Sequence, residues 1–310
     1  MEPSGVLTVN KSEGMTSHDV VNRIRRLYNT KRVGHTGTLD PMATGVLVIL
    51  VGRAAKAAEY LTADTKGYRA TLRLGITTDT EDVTGKILTK SDALPSRDEV
   101  SAVVQSFVGD IMQTPPMYSA LKVGGKKLYE LAREGIEIER EARPITIHSL
   151  VSEPTARDSH YILEVSCSSG TYIRTLCADI GANLGCGGAM ATLCRTRAGE
   201  FDISNSHTLE ELEAMSEDER LSLLLPTVSL FSSLPEVRLP AFYEKLARSG
   251  CEIYQSKIKT SHPLAARVRL CSADGSFFAL GEVREYENGS AIKSKKQFDI
   301  KKSFLFSLHS

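Results

Sequence analysis

The strongest helical pattern along the chain is "SRDEVSAVVQSFVG" at 96–109. Val100, Val103, Val104, Phe107 and Val108 fall on one face at helical spacing. Ser96 stands at the cap position with Glu99 three places on, and Gly109 closes the segment. "TSHDVVNRIRRLY" repeats the arrangement, with Thr16 and Asp19 at its start and Val20, Val21, Ile24, Leu27 and Tyr28 as its stripe. "TYIRTLCADIGANLG" turns Ile173, Leu176, Ile180 and Leu184 inward and ends at Gly185. Thr208 with Glu211 opens a further helix. Strands are predicted at Gly5–Lys11, Tyr68–Gly75, Ile145–Val151 and Tyr161–Ser169. "GVLVILVG" (Gly45–Gly52) is apolar without alternation, and periodicity alone does not separate a buried strand from the buried start of a helix.

Both periods break around 225–240, in "LLPTVSLFSSLPEVRLP". Beyond it come short strands, "ARVRL", "FFALGEV" and "AIKSKKQF", with Asp274–Gly275 and Asn288–Gly289 as tight turns. The chain therefore divides into a domain over 1–232 and a small β-rich module over 233–310. A length of 310 residues agrees with two domains.

Charge changes the picture only locally. Lys+Arg and Asp+Glu balance at 38 each, so the whole-chain charge neither favours nor excludes nucleic acid. Residues 1–75, however, hold eleven basic and six acidic side chains, whereas 208–220 hold six acids and one base. Such asymmetry places a basic face on a neutral protein. The six cysteines form no CxxC pair, and Cys167, Cys177, Cys186 and Cys194 are spaced too widely for the usual zinc pattern. Free thiols and no metal site are expected. No run of eighteen apolar residues or signal peptide is present, so a cytoplasmic protein without membrane association is expected.

The chain carries no GxxxxGK[ST], no GxGxxG after a strand, no HExxH and no GxSxG. Its candidate chemistry centres on "RVGHTGTLDPMATGVLVIL". Asp40 has two readings there: a turn carboxylate accepting local backbone hydrogen bonds, or a nucleophile or base on a stiff loop. Gly34 and Gly37 would let the backbone approach a polymer closely. His35 beside Arg32 is either a structural imidazole or a contact to phosphate or base. Tyr68 next to Arg69 is either a core ring or a surface on which an extruded base stacks. In "GTYIR", Arg174 is either a surface arginine or the partner of a carboxylate across a cleft, with Tyr172 beside it. Lys122, Lys126 and Lys127 surround a Gly-Gly turn in "YSALKVGGKKLYELAREG", a solvated loop or a basic flap over an anionic polymer.

Taken together, "GVLTVNKSEGMTSHDVV", "GHTGTLDPMATGVLVI", "YRATLRLGITTDTEDVTG", "PPMYSALKVGGKKLYELAREGIEIEREARPITI", "CSSGTYIRTLCADIGANLGCGG" and "LCRTRAGEF" resemble the bacterial TruB family of transfer-RNA pseudouridine synthases, in order from Gly5 to Phe201. The resemblance implies an α/β (α+β) pseudouridine-synthase fold, with a central, mostly antiparallel mixed sheet and an RNA-binding cleft. The tail resembles the PUA domain, a small RNA-binding module. The implied reaction converts uridine 55 in the T-arm loop of transfer RNA to pseudouridine, with no metal or organic cofactor. The implied state is a monomer with no obligate protein partner. The resemblance makes Asp40 the catalytic carboxylate, acting either covalently or first as a base at the ribose. It makes Tyr68 the ring stacked on the target base, Arg174 the partner of Asp40, and His35 the residue that takes the place of the flipped uridine. Tyr172 then shapes the pocket and Lys11 helps to order it. The family's Lys-Pro-x-Gly reads "KSEG" here, with Ser12 in the proline position, which leaves that turn less pre-organised.

Overall fold

The computed structural model describes residues 2–61, 65–119 and 121–298. Strand β1 (Gly5–Lys11) leads through α1 (Ser17–Leu27) to β2 (Val33–His35) and β3 (Thr44–Val51). After a 3-10 stretch, β4 (Lys66–Leu74) is followed by the hairpin of β5 (Ile76–Thr78) and β6 (Ile87–Lys90). Next come α2 (Arg97–Ser106), β7 (Gly109–Gln113), the small hairpin of β8 (Lys122–Val123) and β9 (Lys126–Lys127), and α3 (Leu128–Arg133). Then follow β10 (Arg143–Pro154), β11 (His160–Cys167), α4 (Ile173–Asn183), β12 (Gly188–Ala198), β13 (Phe201–Asp202), α5 (Leu209–Ala214) and α6 (Glu217–Ser222). The chain continues through β14 (Glu236–Leu239), α7 (Ala241–Arg248), β15 (Ile253–Tyr254), β16 (Arg267–Ser272), β17 (Phe277–Tyr286) and β18 (Gly289–Gln297).

Among the described residues, the large sheet runs β1-β3-β12-β4-β11-β10-β7, with β2 added to β3 and β13 to β12. Its pairings are antiparallel except between β3 and β12, where Thr44 meets Cys194 and Gly45 meets Arg195. This is the mixed, mostly antiparallel sheet of the pseudouridine-synthase fold. The second sheet, β14-β16-β17-β18-β15, curls into the PUA-like unit. Residues 299–310 of the proposed C-terminal module lie outside the described residues.

The ambiguous run 45–52 is a strand, and its surroundings explain the missing alternation. Leu47, Ile49 and Val51 join the main core, while Val46, Val48 and Leu50 join a second core. Both faces of β3 are buried, so no polar position interrupts it. The second core is closed by Phe231, Leu280 and Phe298. Phe231, Phe277 and Phe298 pack with ring centroids 5.5–5.9 Å apart.

The predicted capping boxes form at Thr16/Asp19, Ser96/Glu99 and Thr208/Glu211, and another forms at Ser216/Glu219. One expectation is corrected. Val108 does not line the helix face but is 41% exposed. The helix ends at Ser106 with Phe107 as its cap, and Gly109, at φ +112°, turns the chain into β7. The crossing of β3 and β12 also requires glycine at position 45. Gly45 sits at φ +96°, and a Cβ there would lie 2.2 Å from the carbonyl oxygen of Arg195.

Candidate active site

Asp40 sits in a turn between β2 and β3, closed by the Ala43 N–H donating to the Asp40 carbonyl at 3.0 Å. Other parts of the fold brace the backbone on either side of Asp40, at Gly37, Thr38, Leu39 and Pro41. Arg195, 2% exposed, donates through Nη2 to Gly37 O at 3.1 Å, Nη1 to Thr38 O at 3.5 Å and Nε to Val46 O at 2.7 Å. Ser17 Oγ, in the first turn of α1, accepts from Leu39 N at 2.8 Å and donates to Leu39 O at 3.1 Å. Pro41 O accepts from Gly14 N at 2.8 Å and from Lys11 Nζ at 3.2 Å. The carboxylate is therefore carried on backbone whose position is set by buried groups.

Arg174 reaches the carboxylate from the opposite side. It lies in the first turn of α4, and its Nε donates to Asp40 Oδ2 at 2.8 Å. The arginine side chain is 6% exposed and the aspartate 37%. Its other nitrogens donate to Thr80 O at 3.1 Å and Tyr118 O at 2.8 Å. The guanidinium thus ties three separate segments together in one plane, a task suited to its fixed fork of donors. The Thr80 segment is itself held: Glu81 takes φ +64°, and its carboxylate accepts from Thr175 Oγ1 at 2.5 Å. Burial pushes the Glu81 carboxyl above its ordinary pKa, with the Thr175 hydrogen bond opposing.

The two tyrosines flank this pair. Tyr68 lies on β4, cross-strand from Arg195, and is 9% exposed. Burial raises its phenol pKa, the Arg195 charge opposes this, and the Asp40 carboxylate adds a smaller push upward. Tyr172 caps α4 and is also raised, chiefly by burial, with Asp40 again contributing. His35 is half-buried at the end of β2; its Nδ1 accepts from Gly37 N at 3.3 Å, which leaves the ring proton on Nε2. Burial, then the Arg195 charge, hold its pKa below the usual value. A groove of about 310 Å³ over the sheet is lined in part by Glu13, Met42, Thr44, Arg69, Thr71 and Leu193, and Asp40, Arg174, Tyr68 and Tyr172 are not among its lining residues.

Lys11 is fully buried, with Nζ donating to Ser12 O at 3.0 Å, Met15 O at 2.7 Å and Pro41 O at 3.2 Å. Desolvation brings its pKa down from 10.5 to about 8, although Asp40 pulls it upward. Between those values the unfolded chain holds the extra proton, so this group adds stability as pH rises through the window. Its bracing changes in the opposite direction, because a neutral amine has two N–H groups for three carbonyls. The single-turnover rate is expected to fall as pH passes about 8. A Lys11→Arg variant should lack that inflection, and Lys11→Met should be slow throughout. The same inflection in all three proteins would assign it to another group.

The peripheral residues predicted from sequence are placed differently. Arg32 is exposed and pairs with Glu2 at 3.4 Å. Neither Gly34 nor Gly37 has left-handed backbone, and a Cβ at either would meet only ordinary contacts, so the fold itself does not demand glycine there. Gly124 and Gly125, at φ +58° and +87°, turn the hairpin between β8 and β9. Lys126 pairs with Glu134 at 3.7 Å, and Lys127 donates to Tyr129 OH at 3.1 Å. Lys122 contributes backbone to β8, but its side chain lies outside the described residues. Arg195, Ser17, Thr80 and Gln113 were not singled out from sequence. Only Arg195 lies in a stretch that carries a signal, "LCRTRAGEF", one of the segments of the family resemblance.

Residues 25–173 match the TruB family pseudouridylate synthase N-terminal domain, and residues 174–232 match the tRNA pseudouridylate synthase B C-terminal domain. The chain is 44% identical over 292 residues to tRNA pseudouridine synthase B of Alkaliphilus oremlandii, covering 94% of this chain and 97% of that protein. It is 42% identical over 278 residues to the protein of that name from Methylobacillus flagellatus, covering 90% of each. Among solved structures, a Cbf5-Nop10-Gar1 complex contains a chain of like fold, with a TM-score of 0.71 and 23% identity over 95% of this chain and 85% of that one. On the strength of its motifs, its fold and these relatives, the chain belongs to the TruB family of pseudouridine synthases.

Proposed function

We propose that this cleft converts uridine 55 of the tRNA T-arm loop to pseudouridine, with Asp40 as the catalytic carboxylate. The observation that carries the reading is the Asp40–Arg174 pair, on a turn braced from Gly37 to Pro41 and close enough to Tyr68 and Tyr172 for the Asp40 charge to bear on both. Arg174 engages Oδ2, which leaves Oδ1 as the oxygen for the nucleotide. Oδ1 then serves as nucleophile toward the base or sugar, or as the base that removes a ribose proton. The N1–C1′ bond breaks, uracil turns, C5 bonds to C1′, and C5 then gives up its proton while N1 takes one, so the product is an isomer of the substrate. Holding the detached uracil in the pocket makes the recombination effectively intramolecular.

In this scheme Tyr68 supplies the ring that stacks on the flipped base, and Tyr172 borders it. The raised Tyr68 pKa keeps its phenol protonated at neutral pH, which favours the stacking role over a standing phenolate. A neutral His35 fills the space vacated in the RNA loop without adding charge. Flipping is least costly where the nucleotide already lies in a loop. The hairpin bearing Lys122, Lys126 and Lys127 covers the RNA backbone, and the unit from residue 233 onward binds RNA farther along.

The test is T-arm stem-loop RNA carrying tritium at uracil C5, incubated with the protein without added metal. Tritium release with pseudouridine at position 55 is expected. Absence of release from both the stem-loop and full-length tRNA, with folded protein that binds them, would overturn the reading and leave an RNA-binding scaffold.

A further inference from the structure

Gln113 ends β7, at the edge of the large sheet, yet is only 2% exposed. Its carboxamide makes two hydrogen bonds to one residue: Nε2 donates to Tyr172 O at 3.0 Å, and Oε1 accepts from Tyr172 N at 2.8 Å. That residue is the cap of α4 and provides no side-chain cap of its own. The Gln113 amide therefore fixes the backbone from which Arg174 projects two residues later.

The same glutamine begins the segment "QTPPMY" that ends at Tyr118, whose carbonyl accepts from Arg174 Nη2 at 2.8 Å. The contacts form a closed circuit. Gln113 holds the Tyr172 backbone, α4 carries Arg174, and Arg174 holds both Asp40 and Tyr118, from which the chain returns to Gln113. Pro115 and Pro116 stiffen the return path. An amide is the group this position calls for, because it donates and accepts side by side. A carboxylate would only accept, and would face the Tyr172 carbonyl.

We propose that Gln113 is a positioning residue for the isomerisation, setting the approach of Arg174 to the Asp40 carboxylate. The proposal rests on the activity assigned above. It acts on the chemical step and not on RNA affinity, since its side chain is turned away from solvent.

The experiment compares Gln113→Glu, Gln113→Leu and wild type by single-turnover tritium release across pH, with T-arm affinity measured in parallel. At neutral pH both variants should turn over about 10- to 100-fold more slowly, the loss that a displacement on the ångström scale produces. Affinity should be unchanged. On acidification, Gln113→Glu should recover relative to Gln113→Leu, because a protonated carboxyl again donates to Tyr172 O and accepts from Tyr172 N. In an Arg174→Lys background, Gln113→Glu should add little further loss, since both changes break one circuit. Full turnover by both variants would overturn the proposal. So would a loss confined to affinity, a pH profile shared by both variants, or additive losses in the double variant. A wild-type protein that releases no tritium would instead refute the assigned activity. Should Gln113→Leu fail to fold, the acid recovery of Gln113→Glu and the double variant still decide.

Discussion

Replacing Asp40 by Asn is expected to reduce turnover by about 10⁴- to 10⁶-fold, the range seen when a base or nucleophile is removed. The substitution is nearly isosteric. The amide oxygen can keep the hydrogen bond from Arg174 Nε, now made to Asp40 Oδ2 at 2.8 Å. The amide nitrogen then occupies the place of Oδ1. It offers no lone pair for attack on carbon and takes no proton from the ribose, so both routes fail together. Arg174 loses its counter-charge but retains Thr80 O and Tyr118 O. The expected loss of stability is therefore modest, about 1–3 kcal/mol. T-arm affinity should survive, because the change is nearly isosteric and leaves Tyr68, Tyr172 and His35 untouched. Residual turnover within tenfold of wild type would remove Asp40 from the chemistry. A loss of affinity that matched the loss of rate would make it a binding residue.

The second large effect is expected at Arg195, which holds the turn and lies beside Tyr68. Arg195→Met keeps an unbranched apolar stem, shorter by two atoms, and removes the donors to Gly37 O, Thr38 O and Val46 O. Buried carbonyls left without a donor cost about 1–3 kcal/mol each, reduced here by ladder bonds and relaxation. A net destabilisation of about 2–4 kcal/mol is expected, measured by urea unfolding. Turnover should fall by about 100-fold at temperatures where the variant is folded, because the carboxylate loses its reference to the sheet. Arg195→Lys should recover only part of this, since an ammonium cannot follow the fork. A variant that unfolds readily but, while folded, turns over like wild type would confine Arg195 to stability.

The sequence was most informative where one face of an element meets water. The capped helices and β4 carry both the buried and the exposed half of their pattern, and the structure places them accordingly. It was least informative in strands without that contrast. β3 is enclosed on both sides, so its run was equally compatible with a helix. β12 was not predicted at all. Its sequence "GAMATLCRTRA" mixes small, polar and cationic residues, because the strand crosses the glycine of β3 and sends Arg195 inward to the turn. The Asp40–Arg174 pairing was legible through resemblance, which joins residues far apart in the chain. The surrounding brackets were not, because Ser17, Thr80 and Gln113 act through main-chain hydrogen bonds that leave no residue pattern.

The second core has a bearing on how the chain can be dissected. Val46, Val48 and Leu50 lie on the reverse of the strand that follows the catalytic turn, and Leu280 and Phe298 help to cover them. The C-terminal sheet thus packs as a lid on the back of β3. A fragment ending near residue 232 would bare a continuous aliphatic strip, the kind of surface that drives self-association. Its poor solubility would then be mistaken for a need for distal RNA contacts. Polar replacements along that strip are required before a test of whether the C-terminal unit takes part in tRNA recognition can be separated from its contribution to holding β3.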